Sequence, residues 1–93
     1  MNVIGLGQAG CNVVDVLSVY PQYKVYKIDV GIEGTRCYDV KRQKGPEEYE
    51  KNVPPMKTFF RGIKGDTLFI IGGSGSISAM CLRIMEQIKD KCE

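Results

Sequence analysis

The stretch that decides the fold is NVIGLGQAGCNVVDVLSVYPQYKVYKIDV, residues 2–30. Asn2 to Gly5 is a short β-favouring run, and Gly5, Gly7 and Gly10 then form G-x-G-x-x-G. Val13, Val14, Leu17 and Tyr20 recur at helical spacing. That spacing predicts a helix over about 10–20, with Asn12 near its start as a cap and Pro21 closing it. Lys24 to Val30 reads as a second strand ending near Asp29. Strand, glycine turn, helix and strand in this order let the backbone approach a phosphate, which the positive end of the helix then favours. The stretch points to a nucleotide or dinucleotide site.

Working outward, a second glycine loop lies near the other end of the chain. Thr67 to Ile71, TLFII, is an apolar run expected of a strand buried on both faces. Gly72-Gly73-Ser74-Gly75-Ser76 follows at once. Beyond it, Ile77, Met80, Cys81, Ile84, Met85 and Ile88 form one apolar stripe of a helix of about fifteen residues, with Arg83, Glu86, Gln87 and Lys89 on its other face. In an open parallel sheet, ligands bind outside the carboxyl ends of the strands, so both loops can face one ligand. Their glycines leave room for phosphates, and serine hydroxyls and backbone N–H groups can donate to them. There is no G-x-x-x-x-G-K-[ST], and no lysine is placed to reach a phosphate from either loop.

Residues 31–52 are loop-like and charged. Cys37 to Val40 fits a strand stub, and Pro46 followed by acidic residues predicts a turn or two of helix to Lys51. Pro54-Pro55 opens a further helical pattern, in which Met56, Phe59, Phe60 and Ile63 share an apolar face and Gly62 and Gly65 end it. The expected fold is therefore α/β: a small Rossmann-like parallel sheet with helices on both faces, in a single domain spanning 1–93.

Composition narrows the function classes. The chain has 93 residues, 43% apolar and 26% charged, with a net charge of +2. Scattered basic residues give no nucleic-acid footprint, and no apolar run reaches membrane-spanning length. A cytoplasmic protein with neither nucleic-acid nor membrane partners is expected. The four cysteines, Cys11, Cys37, Cys81 and Cys92, contain no C-x-x-C, and histidine is absent, which argues against zinc. Cys81 reads as a core residue, Cys11 as part of the glycine turn, and the other two as free thiols.

GLGQAGCNVV resembles the first nucleotide-binding loop of tubulin and its bacterial relative FtsZ. Gly7, Gln8, Ala9 and Gly10 match the tubulin GQ-[AC]-G turn, and Asn12 falls at an FtsZ asparagine. KGDTLFIIGGSGSISAM is similar to the FtsZ strand and tubulin signature loop, shortened here, with Ile71, Ser74 and Ile77 replacing its first glycine, threonine and last glycine. KIDVG matches the end of the second strand, with Asp29 at the acidic position, and KGPEEY more weakly resembles the loop that reads the terminal phosphate. The resemblance covers the two ends of the chain well and the middle poorly. It implies GTP or GDP bound with Mg2+, contacts from Gly7, Gln8, Ala9, Gly10 and Cys11 and from Gly72, Gly73, Ser74, Gly75 and Ser76, and Asn12 near the nucleoside. It also implies self-association in filaments, as in a cytoskeleton, or co-assembly with a longer tubulin/FtsZ-like partner. The family's hydrolysis needs an acidic loop beyond the second glycine loop, which this sequence does not include. A divergent, truncated member or the N-terminal part of a longer protein is implied, with no GTP hydrolysis by this chain alone.

Two other readings stand beside it. A dinucleotide-binding module would use the intact G-x-G-x-x-G for NAD(P), with Asp29, nineteen residues after Gly10, on the adenosine ribose. A non-enzymatic regulator of a full-length relative would need neither ligand.

Overall fold

The computed structural model describes residues 1–72 and 76–90. Strand β1 (Asn2–Leu6) leads directly into helix α1 (Gly7–Leu17), followed by β2 (Lys24–Asp29) and a short β3 (Cys37–Asp39). Helix α2 (Pro46–Lys51) and strand β4 (Thr67–Ile71) come next. A 3-10 helix at Ser76–Met80 then runs into helix α3 (Cys81–Ile88). The four strands form one sheet in the order β3-β2-β1-β4, with every pairing parallel. This is the α/β, Rossmann-like architecture expected from the sequence.

β1 is the central strand, and all five of its residues are buried. Side chains alternate across it. Ile4 and Leu6 point to one face, opposite Tyr26 and Ile28 of β2 and Phe69 and Ile71 of β4. There they meet Tyr49 of α2, Met56, Phe60 and Ile63 of the following turns, and Met80, Ile84 and Ile88. Val3 and Gly5 point to the other face, which α1 covers. The helix comes very close. A Cβ at Gly5 would lie 2.7 Å from the carbonyl oxygen of Gly10, and one at Gly10 would lie 2.2 Å from that of Ile70. Any side chain at either position would lift α1 from the sheet.

Seven residues join β2 to β3, fewer than a parallel crossover ordinarily needs. The register explains it: β3 pairs only with Lys27 to Asp29, so the chain steps back a few residues rather than the length of a strand.

Several expectations need correction. The first helix begins at Gly7 and ends at Leu17, so Asn12 lies inside it and caps nothing; Leu6 is the cap residue and makes no side-chain bond. The segment after Pro54 is not a helix. It is a chain of single turns, closed by the N–H groups of Phe60, Arg61 and Ile63 donating to Met56, Thr58 and Phe60. Its apolar face is nevertheless buried: Met56, Phe60 and Ile63 are inside, and the Phe59 ring centroid lies 5.7 Å from that of Tyr26. Two prolines at the start and Gly62 near the end leave too short a run for a helical ladder. β4 is an outer strand, and Leu68 is 47% exposed. The last helical stripe divides because its first five residues are 3-10 and advance three per turn. Ile77, Met80, Ile84 and Ile88 are buried, whereas Met85 is exposed and Cys81 half-buried.

Gln87 departs from the solvent face assigned to it. Its Oε1 accepts the Met56 N–H at 2.7 Å and its Nε2 donates to the Pro54 carbonyl at 3.0 Å, tying α3 to the turns. Asn2 does the same for the sheet, donating from Nδ2 to the carbonyl oxygen of Lys64 at 2.8 Å.

Candidate functional site

A cleft of about 590 Å³ opens at the carboxyl ends of the strands. Each strand contributes a residue at or just beyond its end: Gln8 after β1, Asp29 and Val30 from β2, Arg42 after β3, and Ser76 and Ile77 after β4. This is where open α/β sheets bind ligands. Strand order explains the position. From β1 the chain moves to β2 on one side, and β4 later joins the other side; the helices after β1 and β4 lie on opposite faces of the sheet, and the cleft opens where the loops leading into them meet.

Helix α1 supplies one wall. Gln8, Cys11, Asn12 and Asp15 all line the cleft, at i, i+3, i+4 and i+7. The line beneath them, Gly7, Gly10, Cys11 and Val14, is buried against the sheet. The start of the helix is bare: Leu6 offers no cap and the first turn has no acidic residue. Among the described residues, its leading N–H groups therefore lack the capping side chain and first-turn acid that usually serve such groups. Gly7 makes the turn with φ +80, a conformation that favours glycine.

The charges of the cleft are unevenly committed. Lys27 Nζ donates to Asp15 Oδ1 at 2.8 Å, and this bond raises the lysine pKa. Asp29 Oδ1 accepts the Val30 N–H at 2.8 Å. Arg42 has no ion pair or hydrogen bond among the described residues. Tyr49 is only 5% exposed yet lines the cleft, and its hydroxyl has no hydrogen-bond partner among the described residues. Cys11 is a buried thiol whose Sγ lies 3.5 Å from the Gly5 carbonyl oxygen and 3.7 Å from that of Ile28. Burial pushes its pKa up to about 11, so it is no nucleophile at neutral pH.

Of the residues expected at a site, Gln8, Cys11, Asn12, Asp29 and Ser76 come together around this cleft. Gly7 and Gly10 are buried beneath it, the first against Ile77 and the second against Ile70. Ala9 is exposed, and Gly72 packs closely on it: a Cβ at Gly72 would lie 2.8 Å from that of Ala9. The two glycine loops thus touch. Gly73, Ser74 and Gly75 lie outside the described residues, as does Cys92.

The sequence reading did not place Asp15, Lys27, Val30, Ile32, Arg42 or Ile77 at the site, and it touched Tyr49 only through the weak resemblance of KGPEEY. Asp15 was within reach, since it lies seven residues after Gln8 on the same helical face. Lys27 was also within reach, by strand alternation with Asp29. Arg42 carries no local signal, because only the β2–β3 register brings it to this end of the sheet. Among the described residues no group of three or more His, Cys, Asp and Glu is arranged to hold a metal ion. No helix among them is long and apolar enough to cross a membrane. No protein-family model, curated protein or solved structure matches the chain, so the geometry of this cleft is the ground for a functional reading.

Proposed function

We propose that this chain is a guanine-nucleotide-binding domain of the tubulin/FtsZ type. The observation that carries the proposal is the meeting of both glycine loops at one cleft, built from the carboxyl ends of all four strands. The uncapped start of α1 suits a phosphate, since its N–H groups and the positive helix end would both stabilise the anion. Asn12 lies deeper along the same wall, where a nucleoside would follow. Magnesium would arrive with the phosphates rather than in a cage of side chains. In this reading the chain is cytoplasmic, does not hydrolyse GTP alone, and self-associates or co-assembles with a longer relative.

A second reading, NAD binding, is favoured by one specific observation. Asp29 ends β2 and lines the cleft, where an acid accepts the hydroxyls of an adenosine ribose. Equilibrium titration of the purified chain with GTP, GDP, ATP and NAD, with magnesium present, separates the two. Guanine-selective binding is expected. NAD binding that disappears in Asp29→Ala would transfer the chain to the dinucleotide class, and no binding of any of the four would remove both.

A further inference from the structure

β4 ends the sheet on one side, but its residues suit an inner strand. All five residues of β1 are buried, whereas in β4 Leu68 is exposed and Phe69, Ile70 and Ile71 are only partly covered. None of these four is charged, and the strand has neither the lysine nor the proline that ordinarily blunts an outer edge. The backbone shows which groups face outward. The Asn2 N–H donates to the Asp66 carbonyl at 2.9 Å. In a parallel ladder alternate residues then serve β1, so Leu68 and Ile70 spend their N–H and C=O groups on it. Phe69 and Ile71 turn theirs to the other side, where no strand lies among the described residues. Apolar surface continues on both faces of the edge. Ala9 of α1 lies against Gly72, and the exposed Val13 follows one turn further along that side of the helix. On the opposite face, Gln87 and Arg83 hold the flank of α3 that meets the turns and α2, which leaves the exposed Met85 on the flank nearer β4.

We propose that this edge recognises a second copy of the chain: β4 pairs with β4 of the other copy, antiparallel across a twofold axis, and the two four-stranded sheets become one. The strand is self-complementary in that register. Phe69 meets its own counterpart at the axis, and Leu68 of each copy meets Ile70 of the other. The two Phe69 residues exchange backbone hydrogen bonds, using the outward groups that β1 leaves over. An axis perpendicular to the sheet keeps like faces together, so Leu68 and Ile70 of both copies join on the α1 face and Phe69 and Ile71 on the α3 face. No charge lies between Thr67 and Ile71 to oppose the match. A partner of another sequence would have to supply this pattern, whereas a second copy supplies it by symmetry. Area sets the strength. The strand with Val13 and Met85 presents on the order of 500 Å² per copy, short of the roughly 800 Å² per partner of a standard stable interface. A reversible pair in the micromolar range is expected, closed by its own axis. The inference gives a surface to the self-association of the proposed function, but it needs no nucleotide.

The test is sedimentation equilibrium under reducing conditions, without nucleotide, from about 1 μM to about 1 mM chain. It compares the unaltered chain with Leu68→Lys, Leu68→Glu, an equal mixture of those two, and Val16→Lys. The unaltered chain is expected to pass from monomer to dimer at roughly tens of micromolar and to stop there. The two Leu68 positions lie diagonally across the axis. Either charged variant should therefore weaken the pair about tenfold or more, and the mixture should recover most of the loss as a mixed dimer. Leu68 is exposed in the single chain, so its replacements fold. Val16 stands on the outer side of α1, and its replacement should change the constant by less than about twofold. Hydrogen exchange reads the register: the Phe69 amide should gain protection as concentration rises, whereas those of Leu68 and Ile70, bonded to β1, are protected throughout. A chain still monomeric at the highest concentration overturns the proposal. So does assembly that runs beyond the dimer, or a dimer weakened by Val16→Lys and not by Leu68→Lys. No recovery in the mixture, or a Phe69 amide indifferent to concentration, overturns the antiparallel pairing. None of these outcomes depends on GTP or NAD, so the nucleotide reading stands or falls by its own titration.

Discussion

At the scale of single residues, Gly10 and Cys11 sit side by side and set the position of α1. The Gly10 contact is backbone against backbone, so nothing flexible can give way. Gly10→Ala should destabilise the fold by about 3 kcal/mol, measured by urea unfolding. Gly31→Ala is the contrast: its φ is +74, unlike that of the helical Gly10, but nothing lies within 4 Å of its added carbon. It should cost only about 1–2 kcal/mol of conformational strain. Equal losses at the two sites would show that the close approach is unimportant. Cys11 gives a pH signature. Its thiol ionises near the ordinary value when unfolded and only at about 11 when folded, because burial disfavours the thiolate. Between those values the unfolded chain has lost the proton and the folded chain has not, so stability falls as pH rises. The decline should begin near pH 9 and amount to roughly 2 kcal/mol by pH 11. Cys11→Ala should remove that slope, whatever it does to stability at neutral pH. Single residues were also where the sequence was least legible. Gln8, Asn12 and Asp29 carry local patterns, and Tyr49 ends the weakly matching KGPEEY, but Arg42 reaches the cleft only through the pairing of β3.

At the scale of elements, legibility followed the hydrogen-bonding pattern behind each period. β1, β2 and α1 announce themselves because burial and backbone bonding impose the same repeat. Met56, Phe59, Phe60 and Ile63 announce a buried face truly and a helix falsely: three linked turns bury the same side chains without the ladder. TLFII reads as a strand with two neighbours because it is apolar on both sides, yet among the described residues β1 is its only partner in the sheet. What fastens the turns is Gln87, which satisfies one N–H and one carbonyl that no strand or helix would satisfy. Gln87→Ala should therefore cost about 1–3 kcal/mol in thermal or urea unfolding. Gln87→Glu keeps the acceptor for Met56 and loses the donor for Pro54, so an intermediate loss is expected. A neutral Gln87→Ala would mean that the apolar face alone holds the segment.

At the scale of the whole molecule, large apolar side chains are exposed on α1, on the outer strand and, at Leu82 and Met85, on α3. Val13, Val16, Val19 and Tyr20 are exposed on and just after the outer side of α1, Val16 at 67%, and Leu68 is exposed on the outer strand. The polar stripe of α1 is spent on the cleft, which turns part of its apolar side outward. An apolar outer strand with unpaired backbone groups is a template for association. Leu68→Lys should reduce concentration-dependent light scattering while leaving the melting temperature within a few degrees. Unchanged scattering would clear the outer strand and direct attention to the valines of α1.

Strand order has one more consequence, for synthesis rather than for binding. Asn2 pairs with Thr67, and Leu6 with Ile71, so the centre of the sheet joins strands about 65 residues apart in the chain. A ribosome adding about 5–20 residues each second leaves β1 without its second neighbour for several seconds. During that interval Val3, Ile4 and Leu6, all fully inside the finished molecule, lie on an edge strand of an unfinished sheet. The nascent chain is thus most vulnerable at its future core, and a chaperone that shields β1 would protect it more than one acting once β4 has been made.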